Sequence, residues 1–268
     1  MKLSDILLNP KKAERHPIEM IFVGFFYASL SLLTSIWIFP EYAPITTIFL
    51  STISSLYLIQ GAIIIQEDKE TEKNSEKTLI KEHSKTLKII LSLFLGFLIA
   101  FIFWHISLSD SASDTIFKIQ KKEVENLRLI TGNSIGNEKS FLIILNNNLK
   151  VFFLSFAFAI FYGAGVIFIL AWNASMMGFV IGDLTKNILG FSSFPIILTK
   201  YLLHGIPEMI SYFTAALAGG IVFITIIRGD FSKNRIKKTS IDTISMIGIA
   251  LFILVIAALI ETFVSPLI

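Results

Sequence analysis

The sequence predicts an all-α, polytopic helical membrane protein, and three observations carry that prediction. Of its 268 residues, 54% are hydrophobic and only 16% charged, whereas a soluble domain is closer to a quarter charged. The mean hydropathy is +0.73. The apolar residues fall in six long runs free of Asp, Glu, Lys and Arg, each able to cross about 30 Å of hydrocarbon at about 1.5 Å per residue. The runs are continuous, so a membrane barrel, which needs strands of about ten alternating residues, is excluded.

The first run, Met20 to Pro40, lies too far into the chain and is too long for a cleavable signal core, and reads as a retained span. The second goes from Tyr42 to Gln66, with Pro44 near its start, where a missing N–H costs little. Ile89 to Ser109 is the third, and Val151 to Gly182, longer than one crossing needs, is the fourth. Met209 to Ile227 and Thr243 to Ile260 complete the six clear spans. Trp37, Tyr42, Trp104 and Trp172 fall near proposed span ends, the place of interfacial aromatics.

Basic residues set the orientation. Lys2, Lys11, Lys12 and Arg15 predict a cytoplasmic N-terminus. After two crossings, the segment from Gln66 to Lys88 returns to that side as a charged helical stalk. Beyond the third span, Ile116, Ile119, Val124, Leu127 and Ile130 share roughly one helical face, which predicts an extracytoplasmic amphipathic helix over 114–130, ended by Thr131-Gly132-Asn133. Arg228, Lys233, Arg235, Lys237 and Lys238 belong in the cytoplasm too, and a six-span count puts them outside. One more crossing repairs this. The stretch Asn173 to His204, broken at Gly190-Phe191-Ser192-Ser193-Phe194-Pro195, is expected to cross as a discontinuous segment or to re-enter, with seven crossings and an outside C-terminus favoured. The protein is expected in the plasma membrane. Residues 1–85 then form a hairpin and stalk, and residues 86–268 a membrane core.

Intramembrane polar residues concentrate in the core. His204 and Glu208 are four apart, on one face if the helix is continuous and across a helix start if it begins near Pro207. Such a pair is a polar switch, a proton relay, part of a metal site, or a bond that locks two helices. Asn146, Asn147 and Asn148 precede the helix of the fourth span and Asn173 follows it, as packing amides or as the wall of a polar cavity. Glu261 lies either in the outer headgroup region or beside His204, and His105 is expected to be interfacial. Small residues at four-residue spacing (Ser155, Ala159 and Gly163; Gly178 and Gly182; Ala215 with Gly219 or Ala216 with Gly220) predict close helix contacts.

Other chemistries find little support. There is no cysteine, hence no disulfide, thiolate metal site or cysteine nucleophile, and the net charge of +3 does not point to nucleic acid. No His-Glu-x-x-His, serine elbow or Walker loop is present, and Gly182-Asp183 lacks the second carboxylate of an intramembrane aspartyl protease. No cofactor is expected, and whether a metal binds stays open.

From about residue 86 onward the chain resembles the stage II sporulation protein M family. The resemblance rests on Asn146-Asn147-Asn148 with Val151, Gly163-Ala164-Gly165, Asn173 with Gly178, His204-Gly205-Ile206-Pro207-Glu208, Ala218-Gly219-Gly220 and Ile260-Glu261. The His-Gly-x-x-Glu element after an Asn-x-x-x-x-Gly turn is its most specific part; Ala174 departs from the family's usual glycine. The resemblance implies a five-crossing core, to which the hairpin adds two. It marks His204, Gly205, Glu208, Asn147 and Asn173. It further implies anchoring rather than catalysis, as the namesake anchors two cell-wall hydrolases during engulfment. Two functions follow: a scaffold for envelope-remodelling membrane partners, or a permease or export subunit with a pathway at His204 and Glu208 and a separate ATPase. Glycine faces permit, without requiring, homo-oligomers.

Overall fold

A computed structural model describes residues 10–72, 79–131, 137–163, 166–229 and 231–267, and among them every regular element is helical. The short α1 (Pro10–Arg15) leads through a 3-10 turn, Pro17–Glu19, into α2 (Met20–Ile38). A second such turn, Pro40–Tyr42, reverses the chain into α3 (Ala43–Glu72). Both turns begin with proline, whose fixed φ and missing N–H suit a helix start. Then come α4 (Leu79–Ser107), α5 (Asp110–Ile116), α6 (Lys118–Thr131) and α7 (Asn137–Tyr162). The fold closes with α8 (Val166–Asp183), α9 (Phe194–Arg228) and α10 (Lys233–Leu259). A π-helical turn extends α8 over Leu184–Ile188, and another extends α10 over Ile260–Val264.

Among the described residues, seven helices are long and apolar enough to cross a membrane, in agreement with the crossing number read from charge. The position of the irregular backbone differs from the expectation. Asn173 lies inside α8 and His204 inside α9, so 173–204 is no discontinuous crossing; its Gly-to-Pro break is the turn between two full spans. Gly190, at φ 82°, makes that turn. The excess length of the Val151–Gly182 run has the same kind of origin. Gly163, at φ 61°, ends α7, and the run holds the end of one span and most of the next. Uncharged sequence carries no mark of a helix end other than such a glycine.

The bundle is tied together by close backbone crossings. A Cβ on Gly24 of α2 would stand 2.6 Å from the Leu93 carbonyl of α4, and Gly96 of α4 faces the Ile21 carbonyl as tightly. In lipid, where burying apolar surface drives little, such approach supplies the van der Waals contact that holds helices. The hairpin α2–α3 shares one apolar core with the later helices: Leu32, Ile48 and Leu58 belong to the same cluster as Phe94, Phe97 and Phe213. The small-residue faces divide their partners. Ser155 and Ala159 are fully buried, Ala159 against Gly219 of α9, while Gly178 and Gly182 receive Phe101 and His105 of α4. Ala216 is buried too, and a Cβ on Gly220 would stand 3.7 Å from Ile63 of α3. The three elements that carry them, α7, α8 and α9, also all touch one another.

The charged stalk continues α3 to Glu72 and begins α4 at Leu79, and 73–78 lie outside the described residues. The amphipathic segment is two helices rather than one. Ser109 caps α5, accepting from the Ala112 N–H, and the break falls at Phe117, which is buried with the rings of Phe101, Phe179 and His105 around it. Burying that ring sets the angle between α5 and α6. Gln120 of α6 is buried and donates to Ser175 Oγ of α8 at 3.0 Å, which seats α6 on the spans. The side chains of Leu127 and Ile130 and the loop at 132–136 lie outside the described residues.

Candidate functional site

Five residues of α9, Tyr201, His204, Gly205, Glu208 and Tyr212, recur at three- and four-residue spacing and so share one face. Pro207 sits inside α9, which runs through it, so His204 and Glu208 are one turn apart in a continuous helix rather than across a helix start. Proline has no N–H for the Leu203 carbonyl, a local slack in the ladder beside the site.

Three other helices complete that face. Asn147 and Asn148 lie within α7, not before the span, because the helix begins ten residues earlier, at Asn137. The Asn148 amide donates to Glu208 Oε1 at 2.8 Å. Asn173 is in mid-α8, its amide donating to the Ile169 carbonyl at 2.8 Å, and Ala174 after it is fully buried; no turn forms here, and none needs a glycine. The π-turn of α10 brings back two residues. Ser265 Oγ lies 3.0 Å from His204 Nδ1, and Glu261 lines the same cavity as Glu208. Glu261 is therefore a half-buried neighbour of the His204 face.

His204, Gly205, Glu208, Asn147, Asn173 and Glu261 all line one cavity of about 580 Å³ among α6, α7, α8, α9 and the end of α10. Drug-sized ligand sites run from about 300 to 1,000 Å³. Its apolar wall is aromatic and sulfur-rich: Phe158, Phe168, Trp172, Tyr201, Tyr212 and Met177. Phe168 and Trp172 stack with ring centres 6.5 Å apart, and both line the cavity. Glu123 and Val124 of α6 close one end. Among the described residues no three His, Cys, Asp or Glu side chains converge as a metal-ligand set.

Sequence reading missed Tyr201, Tyr212, Trp172 and Ser265. The first two were within reach of it, since they lie seven before and four after Glu208; Ser265 depends on the π-turn, which no spacing announces. His105 is likewise more than interfacial. It is buried at the end of α4, with Nδ1 2.9 Å from Ser113 Oγ and Nε2 4.0 Å from Asp183. A smaller polar pocket of about 230 Å³ lies there. Lys186 reaches Asp110 at 2.9 Å and holds its carboxyl below the usual range, while Asp114 raises the Lys121 ammonium.

Comparison with known proteins places this geometry in a family. No solved structure matches the chain. An uncharacterized protein of Methanocaldococcus jannaschii is 31% identical over 184 residues, 67% of this chain and 94% of the relative. The family model described as "Stage II sporulation protein M" matches residues 89–266, from α4 to the last turn and hence every residue that lines the cavity. The chain belongs to the stage II sporulation protein M family.

Proposed function

We propose that this chain is a permease or export subunit that admits a small molecule to the cavity on α9. One observation carries the reading: His204, Glu208, Asn147, Asn173 and Glu261 face one cavity between membrane-spanning helices instead of all pairing off in helix contacts. Ionisable groups at membrane depth are costly and mark ligand or ion paths by default. Two carboxyls exceed what a helix lock requires. The basic ends at Arg15 and at Arg228 to Lys238 would face the cytoplasm, with the C-terminus outside, in the plasma membrane.

The test is retention of a mixture of small solutes trapped in proteoliposomes, read by mass spectrometry. Loss of one solute class that His204→Ala and Glu208→Ala restore supports the reading; equal retention in all three contradicts it. Anchoring of envelope partners is the second reading, favoured by family membership. With its Ile116, Phe117 and Gln120 packed on the bundle, the α5–α6 segment would offer partners its charged side. Envelope proteins that co-purify and are lost on reversing charges at Lys122 and Glu125 would support that role.

A further inference from the structure

Resting on the cavity-binding reading, we infer that the α9 cavity selects a hydrophobic organic cation, held by the Glu208–Glu261 carboxyl pair and the aromatic wall.

The pair stands on two different helical elements, α9 and the π-turn after α10, so the fold itself brings two carboxyls to one cavity between the spans. Their mutual repulsion falls when a cation or a proton lies between them. Asn148 offers Glu208 a neutral amide, which orients an oxygen but cancels no charge. The cavity's other charged lining residue is a third carboxyl, Glu123, and no Lys or Arg lines it among the described residues. The site is thus acidic without an internal counter-ion.

The wall is an independent observation and narrows the class. A metal ion would want further oxygen ligands, and the rest of this lining is mostly apolar. Phe158, Phe168, Trp172, Tyr201 and Tyr212 present ring faces and edges, and faces of Trp and Tyr attract cations within about 6 Å. Methionines 176, 177 and 209 add a soft surface that adapts to differing shapes. An inorganic cation leaves that wall unused, whereas a substituted ammonium or phosphonium uses both ends.

Protons compete for the same carboxyls, so cation binding weakens as pH falls. The other titratable groups facing the pair are His204, Tyr201 and Tyr212 on α9 and Glu123 on α6; Lys200 lies near His204, and α7 and α8 contribute amides.

The experiment is titration calorimetry of the full chain in nanodiscs with tetraphenylphosphonium and with tetraphenylborate, its anionic isostere. The expected result is saturable phosphonium binding, weakened at least tenfold by Glu208→Gln and by Glu261→Gln and weaker at pH 5.5 than at pH 8, with no saturable borate binding. The glutamine at 208 still accepts from Asn148, and a monodisperse elution profile establishes that each variant is folded. Equal binding of both probes, or phosphonium binding unchanged by both variants, overturns the inference. Labelling of Asn173→Cys by a water-soluble maleimide separates the two failures. A labelled cavity that ignores phosphonium ends the cation inference alone, and an unlabelled one ends the cavity-binding reading with it.

Discussion

The hairpin α2–α3 and the α7–α10 group span the same bundle but differ in how far their polar side chains reach for partners. On α3, the hydroxyls of Ser51, Thr52, Ser54 and Ser55 each donate to the carbonyl four residues back in the same helix. Those protons are spent inside the helix, and α2 meets α4 mainly through glycine against backbone, with one side-chain bond, Trp104 Nε1 donating to Ser29 Oγ at 2.9 Å. The other group has back-bonded side chains as well, such as Ser155 and Thr214, but it adds bonds between helices: Asn148 to Glu208, His204 to Ser265, and Ser211 Oγ to the Ala250 carbonyl at 2.7 Å. A hydroxyl can be satisfied by its own helix, but a carboxylate or imidazole finds no unused donor or acceptor there. The difference teaches where space is kept in a membrane bundle. Back-bonded hydroxyls permit dry, close crossings, whereas long charged side chains hold helices apart and leave a cavity.

The comparison can be broken most severely at the dry crossing. Gly96→Ala drives a methyl into the Ile21 carbonyl, and a loss of about 1–3 kcal/mol is expected, larger with Gly96→Val. Thermal unfolding in detergent, followed by circular dichroism, checks this. Next is Asn148→Leu, which strands a Glu208 oxygen without its donor and should cost about 1–3 kcal/mol by the same measurement. Ser265→Ala removes a bond to His204 and should cost less, about 0.6 kcal/mol as for other interhelical hydrogen bonds in membranes. Ser51→Ala, whose hydroxyl only bonds its own helix, should fall within about 0.5 kcal/mol of the parent. An Asn148→Leu effect no greater than that of Ser51→Ala would erase the distinction.

The smallest effect concerns the exposed ion pair at the mouth of the His105 pocket. Asp110 has its carboxyl depressed by Lys186, so the pair's contribution is present above the usual carboxylate range and disappears as pH falls through the lower, folded value. Chemical-shift titration of the Asp110 carboxyl should show that depressed midpoint, and Lys186→Ala should return it to the ordinary range. An unchanged midpoint in the variant would remove Lys186 as the cause.

Much of this architecture is legible before any coordinates. Hydropathy and basic flanks suffice for seven crossings, because the penalty for charge in hydrocarbon is written directly in composition. The individual cavity residues are also visible as rare polar positions, such as His204, Glu208 and Glu261. Their convergence is not. Asn148 meets Glu208 across sixty residues of chain through the crossing of α7 on α9, and Ser265 reaches His204 only because α10 widens into a π-turn before Pro266. Periodicity reports which face of one helix is polar and is silent on which helix it meets. The misplaced break at 173–204 has a related cause. Gly190-to-Pro195 and Gly163 are both chain reversals, but only the first stands in a polar setting that draws notice.

The most direct test of the central claim compares the two regions in one experiment. The chain has no native cysteine, so Asn147→Cys in the cavity and Ser51→Cys in the hairpin give single reporters for a membrane-impermeant maleimide in nanodiscs. The account predicts rapid modification at 147 and none at 51, because the first side chain lines an open cavity and the second is fully buried in a dry crossing. No modification at 147, or equal rates at both positions, would contradict it.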